Sequence, residues 1–320
     1  MILTVTLNPA IDRTLTVPNF QRGQRHRATS GLALAGGKGI NISRALKALG
    51  VPSIATGLAG GQTGMRIVER MTAEGILNDF VRIADESRTT TAVVDPTSGS
   101  YTEIKEWGPA VRADELGFLS EKVEYLSRSA DVVVIAGSLP RDVADSFYAE
   151  LIHDLNRRNV ATYLDCEGEA LRLGVEAEPT LASIGQQDAE SLVGQEFHDD
   201  EDYELALEQI SALGARNALI STEDGCIALL REDRVVHRFR VVAPRVEPVS
   251  SVGAGDVLLA GFLAARAAGK APAETLRLAA AASAASTLEL GAGMLDPREA
   301  GRLSPATDVV ELEPAAEATV

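Results

Sequence analysis

The sequence predicts a three-layer α/β sandwich built on a mostly parallel sheet. Three observations carry this reading. Val132-Val133-Val134-Ile135-Ala136 is an unbroken apolar run closed by Gly137, the pattern of a strand buried on both faces. Ile2 to Leu7 is rich in β-branched residues, and Val160 to Leu164 and Ala218 to Ser221 resemble the apolar run. Between them lie stretches with apolar residues three and four apart, and strand and helix periods in alternation mark an α/β fold.

The first run ends at Asn8-Pro9, so it is a strand entering a turn. Ile42, Ala45, Leu46 and Leu49, stopped by Gly50, predict one helix, and Ile67, Val68 and Met71, stopped by Gly75, another. Two excursions break this rhythm. Thr14 to Val17, Thr90 to Val94 and Tyr101 to Ile104 alternate apolar and polar, and Asp95-Pro96-Thr97-Ser98-Gly99 supplies a hairpin turn. Residues 13–33 and 87–106 therefore predict a small antiparallel β lid, which must cover its apolar face as a lid or against a second subunit. Residues 1–12, 34–86 and 107–303 make the α/β body. Residues 304–320, rich in Pro, Ala and Glu, predict an exposed, acidic, partly disordered C-terminal tail.

Composition narrows the function. The chain has 320 residues, enough for two average domains or one large α/β domain with an excursion. Hydrophobic residues at 45% and charged residues at 24% are globular values. Aromatics at 4% leave the core to Ala, Val, Leu and Ile. The net charge of −16 repels phosphate backbones and anionic lipids. Nucleic acid and membrane are thus poor partners, and an anionic substrate would need a local cluster of cations. Cys166 and Cys226 form no disulfide framework, and four scattered histidines lack metal-ligand spacing. There is no signal-peptide pattern and no apolar run near the roughly 20 residues that span a bilayer, so the expected location is the cytoplasm.

Three short motifs point to chemistry. Gly253-Ala254-Gly255-Asp256 feeds an apolar helix that stops at Gly269. Free N–H groups at such a helix start favour an anion, and glycines let a phosphate approach the backbone. A carboxylate there would repel a bound phosphate, yet it suits a base that takes the proton of an attacking alcohol. Taken alone, Asp256 also suits an ordinary N-cap. Ala35 to Asn41 again places glycines and a cation, Lys38, at a helix start, and Gly39 after Gly-Lys excludes a Walker A loop. Alone, it also suits a turn with a solvated lysine. Asn8 and Asp12, where a strand ends, are placed to grip sugar hydroxyls or to form a simple Asx turn. Hydrolase and Rossmann motifs are missing.

Together these motifs resemble the PfkB (ribokinase-like) carbohydrate kinases, in the branch of 1-phosphofructokinase and tagatose-6-phosphate kinase. The resemblance runs in family order over residues 1 to about 295. It is carried by Leu7 to Asp12, Gly36 to Asn41, Gly60-Gly61-Gln62-Thr63-Gly64, Gly137-Ser138-Leu139-Pro140, Leu164-Asp165 with Gly168 to Leu171, and Gly253 to Asp256. It implies ATP-dependent phosphorylation, with Mg²⁺, of a hydroxymethyl group on a ketohexose phosphate such as fructose 1-phosphate. It also implies a homodimer joined through the β lid.

Residue by residue, the resemblance implies that Asp256 is the catalytic base and Gly253, Ala254 and Gly255 the anion hole. Asp12, Gly37, Lys38, Asn41, Arg88 and Ser138 match substrate-binding positions, with Lys38 and Arg88 the cations for the substrate phosphate. The nucleotide is expected at Ser221, Thr222, Gly225, Gly253 and Gly255, near the Ala-rich helix 276–288. Thr102-Glu103-Ile104 with Gly108-Pro109 resembles the lid segment of the phosphofructokinase branch.

Departures from the family pattern are localised. Its Lys-Pro-Asn-x-x-Glu stretch, which helps hold Mg²⁺, is here Ser183-Ile184-Gly185-Gln186-Gln187-Asp188. Asp188 is the remaining metal-side carboxylate, so weak metal handling is expected. Thr90 and Ala92 replace the Asn and Lys after Arg88, which weakens the phosphate site. Two alternatives stand beside the sugar-phosphate kinase: a kinase of an unphosphorylated sugar or nucleoside, and a non-catalytic sugar- or nucleotide-binding paralogue. The retained Asp256 speaks against the second.

Overall fold

The computed structural model describes residues 1–232 and 235–312. In chain order the elements are β1 (Ile2–Thr6), β2 (Ala10–Thr16), β3 (Ser30–Gly36), α1 (Lys38–Ala48), β4 (Ser53–Gly60), α2 (Gly61–Ala73), β5 (Leu77–Asn78), β6 (Val81–Ile83), β7 (Arg88–Asp95), β8 (Ser100–Lys105) and α3 (Ala113–Ser127). There follow β9 (Val132–Ala136), α4 (Phe147–Arg157), β10 (Ala161–Asp165), α5 (Gly168–Glu176), β11 (Leu181–Gly185), α6 (Gln186–Val193), α7 (Asp200–Leu213) and β12 (Ala218–Thr222). The last are β13 (Gly225–Glu232), β14 (Val235–Val242), α8 (Ala254–Ala267), α9 (Pro272–Ser286), α10 (Pro297–Leu303) and β15 (Asp308–Leu312).

The main sheet has eleven strands, in the order β15-β14-β13-β12-β11-β10-β9-β1-β4-β5, with β6 also on β4. From β12 to β5 every pairing is parallel. β9, the all-apolar run of the sequence, lies near the middle between β1 and β10. Leu119, Tyr148, Ile152, Leu171 and Ile210 pack the helices on one face, and Ile42, Leu46, Val257, Leu276 and Ala280 pack those on the other. The helix-stop glycines Gly50 and Gly75 take positive φ, 75° and 68°, after α1 and α2, where a side chain would be strained.

The second sheet runs β3-β2-β7-β8. Its outer pairs are antiparallel, as expected, but the central pair β2–β7 is parallel. It also takes in Ala10 to Asp12 and Leu34 to Gly36, which sequence reading gave to the body. Ile11 and Ala35 bury its inner end against Ile67 and Met71 of α2.

Asp95 ties the distal end together. Its carboxylate accepts from the backbone N–H groups of Asn19, Phe20 and Thr97 and from the Ser98 hydroxyl. Burial opposes ionisation, but these four donors bring its pKa down to about 2. Asp95→Ala is expected to speed hydrogen exchange at these three amides by roughly tenfold or more, the equivalent of one charge-assisted hydrogen bond. Unchanged exchange rates would show that the loop is held by other contacts.

The tail expected from Ser304 is a correction. Asp308–Leu312 forms β15, antiparallel to β14 from Arg238↔Leu312 to Val242↔Asp308. Val309 packs against the core, which secures the strand despite its mostly exposed face. The rest of the expected tail, 313–320, lies outside the described residues.

Candidate active site

Ligands of open α/β sheets bind beyond the carboxyl ends of the strands. That end is a cleft of about 330 Å³, reached by β1, β9, β10, β11 and β12 and roofed by the small sheet. Asp12, Gly37, Lys38, Asn41, Arg88, Ser138, Asp188, Ser221, Gly253, Ala254, Gly255 and Asp256 all line it. Residues as far apart in sequence as Asp12 and Asp256 are thus brought to one cleft. Thr222 and Gly225, expected at the nucleotide, pair at the ends of β12 and β13, outside this lining. The Thr222 hydroxyl donates to Asp224, and a Cβ on Gly225 would meet the Val241 carbonyl oxygen at 2.2 Å. The glycine there answers the close approach of β14.

Asp256 sits in the first turn of α8, only 6% exposed. Asn41 Nδ2 donates to its Oδ2 at 2.8 Å. Burial, with Asp165 adding repulsion, pushes its pKa up to about 7, against the pull of Lys38 and Asn41. A carboxyl poised there exchanges protons readily at neutral pH. Gly253 is the N-cap, at φ 80°, where a Cβ would come within 2.9 Å of Ala292. The Ala254 N–H turns back to the Ser251 carbonyl at 3.2 Å. The expected three-residue anion hole is therefore narrower, with the Gly253 and Gly255 N–H groups free among the described residues.

Lys38 opens α1, and its ammonium lies 2.6 Å from Asp165 at the end of β10. Burial favours the neutral amine, but Asp165 and Asp256 overcome it and raise the pKa. Lys38 is thus committed to the carboxylate side of the cleft. Asp165 belongs to a quoted motif, but its role was not read from sequence, because its partner lies 127 positions away.

At the lid side, Arg88 opens β7 and its Nε donates to the Asn8 carbonyl at 3.3 Å. Asn8 Nδ2 in turn reaches Ser138 Oγ at 3.2 Å. Asn8 Oδ1 and Thr6 Oγ1 are buried without a hydrogen-bond partner among the described residues. Such atoms await a ligand or water, since leaving them unpaired is unfavourable. Asp12 lies over Gly36, where a Cβ would sit 1.8 Å from its carboxylate. Burial raises the Asp12 pKa, against the pull of Arg88. Glu103, of the lid segment noted in the sequence, also faces the cleft from β8, paired at 3.3 Å with Lys105, which the sequence gave no reason to expect there.

Asp188, in the first turn of α6, faces the cleft from the other side. Burial raises its pKa, Lys38 opposes, and Glu167 and Asp165 add to the rise. Among the described residues no three His, Cys, Asp or Glu side chains converge as a metal site. One or two carboxylates fit a Mg²⁺ ion that keeps its waters and is held mainly by substrate phosphates.

A buried carboxyl beside free helix-start amides is suited to phosphoryl transfer to an alcohol. The sheet behind it is that of a ribokinase-like kinase. The chain belongs to the pfkB family of carbohydrate kinases, whose family model matches residues 4–298. It is 31% identical over 290 residues to a 1-phosphofructokinase of Borreliella burgdorferi, across 90% of this chain and 92% of that one. Phosphofructokinase-2 from Escherichia coli, solved with substrates and products, superposes with a TM-score of 0.88 at 28% identity, covering 95% of this chain and 98% of that one. A possible 1-phosphofructokinase from Thermotoga maritima gives 0.87 at 27% identity, covering 98% and 100%. The protein is therefore a phosphotransferase of the sugar kinase class. No helix among the described residues is long and apolar enough to cross a membrane.

Proposed function

We propose that the protein transfers the γ-phosphoryl group of ATP to a hydroxymethyl group of a fructose phosphate, fructose 1-phosphate or a related ketohexose phosphate. The observation that carries this is the placement of Asp256. It stands in the first turn of α8 beside the free amides and lines one cleft with Asp12, Arg88, Asn8 and Ser138. The relatives named as phosphofructokinases supply the acceptor class.

Asp12 accepts hydrogen bonds from sugar hydroxyls, and Arg88 with Ser138 holds the acceptor's own phosphate. The acceptor oxygen then forms a bond to phosphorus as the bond to ADP breaks, and its proton passes to an Asp256 carboxylate oxygen. The Gly253 and Gly255 amides meet the negative charge on the transferring group. Lys38, fixed by Asp165, brings a positive charge to the same side without needing to reorganise. Asp188 and Glu167 are the carboxylates that would hold the waters of a Mg²⁺ ion, which when bound would neutralise phosphate charge. Ser221 marks the nucleotide side. A coupled ADP assay over fructose 1-phosphate, fructose 6-phosphate, tagatose 6-phosphate and free sugars tests the reading, and an absence of turnover on every phosphorylated acceptor would overturn it.

Saturation is expected to need free Mg²⁺ in excess of total ATP, because Gly185 and Asp188 replace an Asn and a Glu. A Cβ on Gly185 would lie 3.7 Å from Asp188 Oδ2, so a side chain fits. Gly185→Asn with Asp188→Glu should lower the requirement. An unchanged Mg²⁺ titration would remove these positions from the metal side.

We further propose that the protein is a homodimer joined through the lid and, as a metabolic sugar kinase, works in the cytoplasm. Every residue of β8 is exposed, with Tyr101 at 43% and Ile104 at 62%, and an unpaired strand edge seeks a partner. Sedimentation of the protein as a monomer would remove the dimer.

A further inference from the structure

Arg44 is a buried cation that phosphoryl transfer as described does not use. It stands one turn after Asn41 in α1, and the two residues are 6% and 5% exposed. All five guanidinium N–H groups are engaged. Nε and Nη2 reach Glu74 at 2.5 and 3.1 Å, Nη2 also reaches the Ala35 carbonyl at 2.5 Å, and Nη1 reaches the Ala292 carbonyl at 3.0 Å and Asn41 Oδ1 at 3.1 Å. One side chain thus joins the end of α2, the end of β3 beside Asp12, and the loop that packs on Gly253.

The bond to Asn41 sets a direction. A guanidinium has only donors, so it can meet only the oxygen of the Asn41 amide. The amide nitrogen must then face the other way, toward Asp256 Oδ2 at 2.8 Å. A donor aimed at a carboxyl favours its ionised form, the form that accepts a proton. Without Arg44 the amide is free to turn its oxygen to Asp256, which favours the protonated carboxyl.

We infer that Arg44 is a positioning residue for the reaction: through Asn41 it holds the Asp256 carboxylate oriented and ready to accept a proton. This rests on Asp256 being the base. The other charged groups facing Asp256 are Asp165 and Lys38 across the cleft and Asp12 from β2. Arg44 itself faces Glu74, and its charge also reaches Asp12. Among the described residues, only the route through Asn41 runs by direct hydrogen bonds from Arg44 to the base.

The test follows the Asp256 carboxyl by ¹³C NMR against pH in the unliganded protein, with Asp256→Asn to assign the signal. In Arg44→Met the midpoint is expected to rise by about one unit, the equivalent of one hydrogen bond to a charged group. Asn41→Ala should raise it similarly, and the double variant no further than either single one, because the two act in series. The kcat/KM at pH 7 should fall roughly fivefold in Arg44→Met and recover at higher pH, as a one-unit shift of the base requires. Arg44→Lys, the milder replacement should Arg44→Met fold poorly, keeps the charge and loses the fork, so its midpoint should also rise. A wild-type midpoint in the folded Arg44 variants would leave Arg44 as packing alone and overturn the inference. The titration needs no acceptor, so failure of the kinase reading would show separately, as wild-type protein inactive on every sugar.

Discussion

Asp256→Asn is expected to fold, to bind ATP, and to lose on the order of 10²–10⁴ in turnover, the range of a positioned general base. The amide has the shape of the carboxyl and keeps an oxygen for Asn41 Nδ2 to meet. What it lacks is a site for the acceptor's proton. Stability separates loss of chemistry from loss of fold. The folded pKa of Asp256 is raised from 3.8 to about 7 by burial and by Asp165. A raised carboxyl favours folding while protonated, and that contribution is lost as pH climbs from about 4 toward about 7. The variant escapes this loss, so at pH 8 its Tm should equal or exceed that of the wild type. Wild-type kcat/KM should show an acid limb with an apparent pKa near 7. More than a tenth of wild-type turnover in Asp256→Asn would remove Asp256 as the base.

The parts of the fold readable in the sequence are those where a local pattern has one physical meaning. Val132 to Ala136 has no polar residue to place in water, so it could only be an inner strand. Asp95 to Gly99 could only turn, and the alternation on either side of it gave the lid. The parallel β2–β7 pairing was not readable, because register between strands 78 positions apart leaves no local trace. β15 was missed because Pro, Ala and Glu composition was weighed over Val309 and Val310, which sit in a short strand at the sheet edge.

The site divides in the same way. Motifs at helix starts and strand ends identified one wall of the cleft, since each is short and carries its own chemistry. Pairings across the cleft were hidden. Lys38 looked free to meet a substrate phosphate, and only the fold shows it held by Asp165. Arg44 carries no local sign of burial in the sequence, because the carbonyls that receive it, Ala35 and Ala292, lie on other elements of the fold.

Arg88→Ala is expected to raise the KM for the sugar phosphate by roughly 30- to 1000-fold, or about 2–4 kcal/mol for a desolvated charge pair. In a chain of net charge −16, with Asp12, Glu103, Asp165, Glu167, Asp188 and Asp256 all facing the cleft, a dianion enters only beside a local cation. Lys38 is paired with Asp165, and Lys105 is shared with Glu103. Arg88 spends only Nε, on the Asn8 carbonyl, which leaves its terminal N–H groups free among the described residues. Those groups can grip a phosphate bidentately. Loss of the side chain also releases Asn8, which holds Ser138, so the acceptor site should loosen as a unit. The KM for ATP should hardly change, because Arg88 belongs to the lid sheet, whereas Ser221 and α8 belong to the main body. Thr90 and Ala92 make the opposite outcome a real contest. If a free ketohexose shows the highest kcat/KM in the acceptor panel and Arg88→Ala leaves it untouched, the acceptor carries no phosphate, and the protein phosphorylates the unphosphorylated sugar instead.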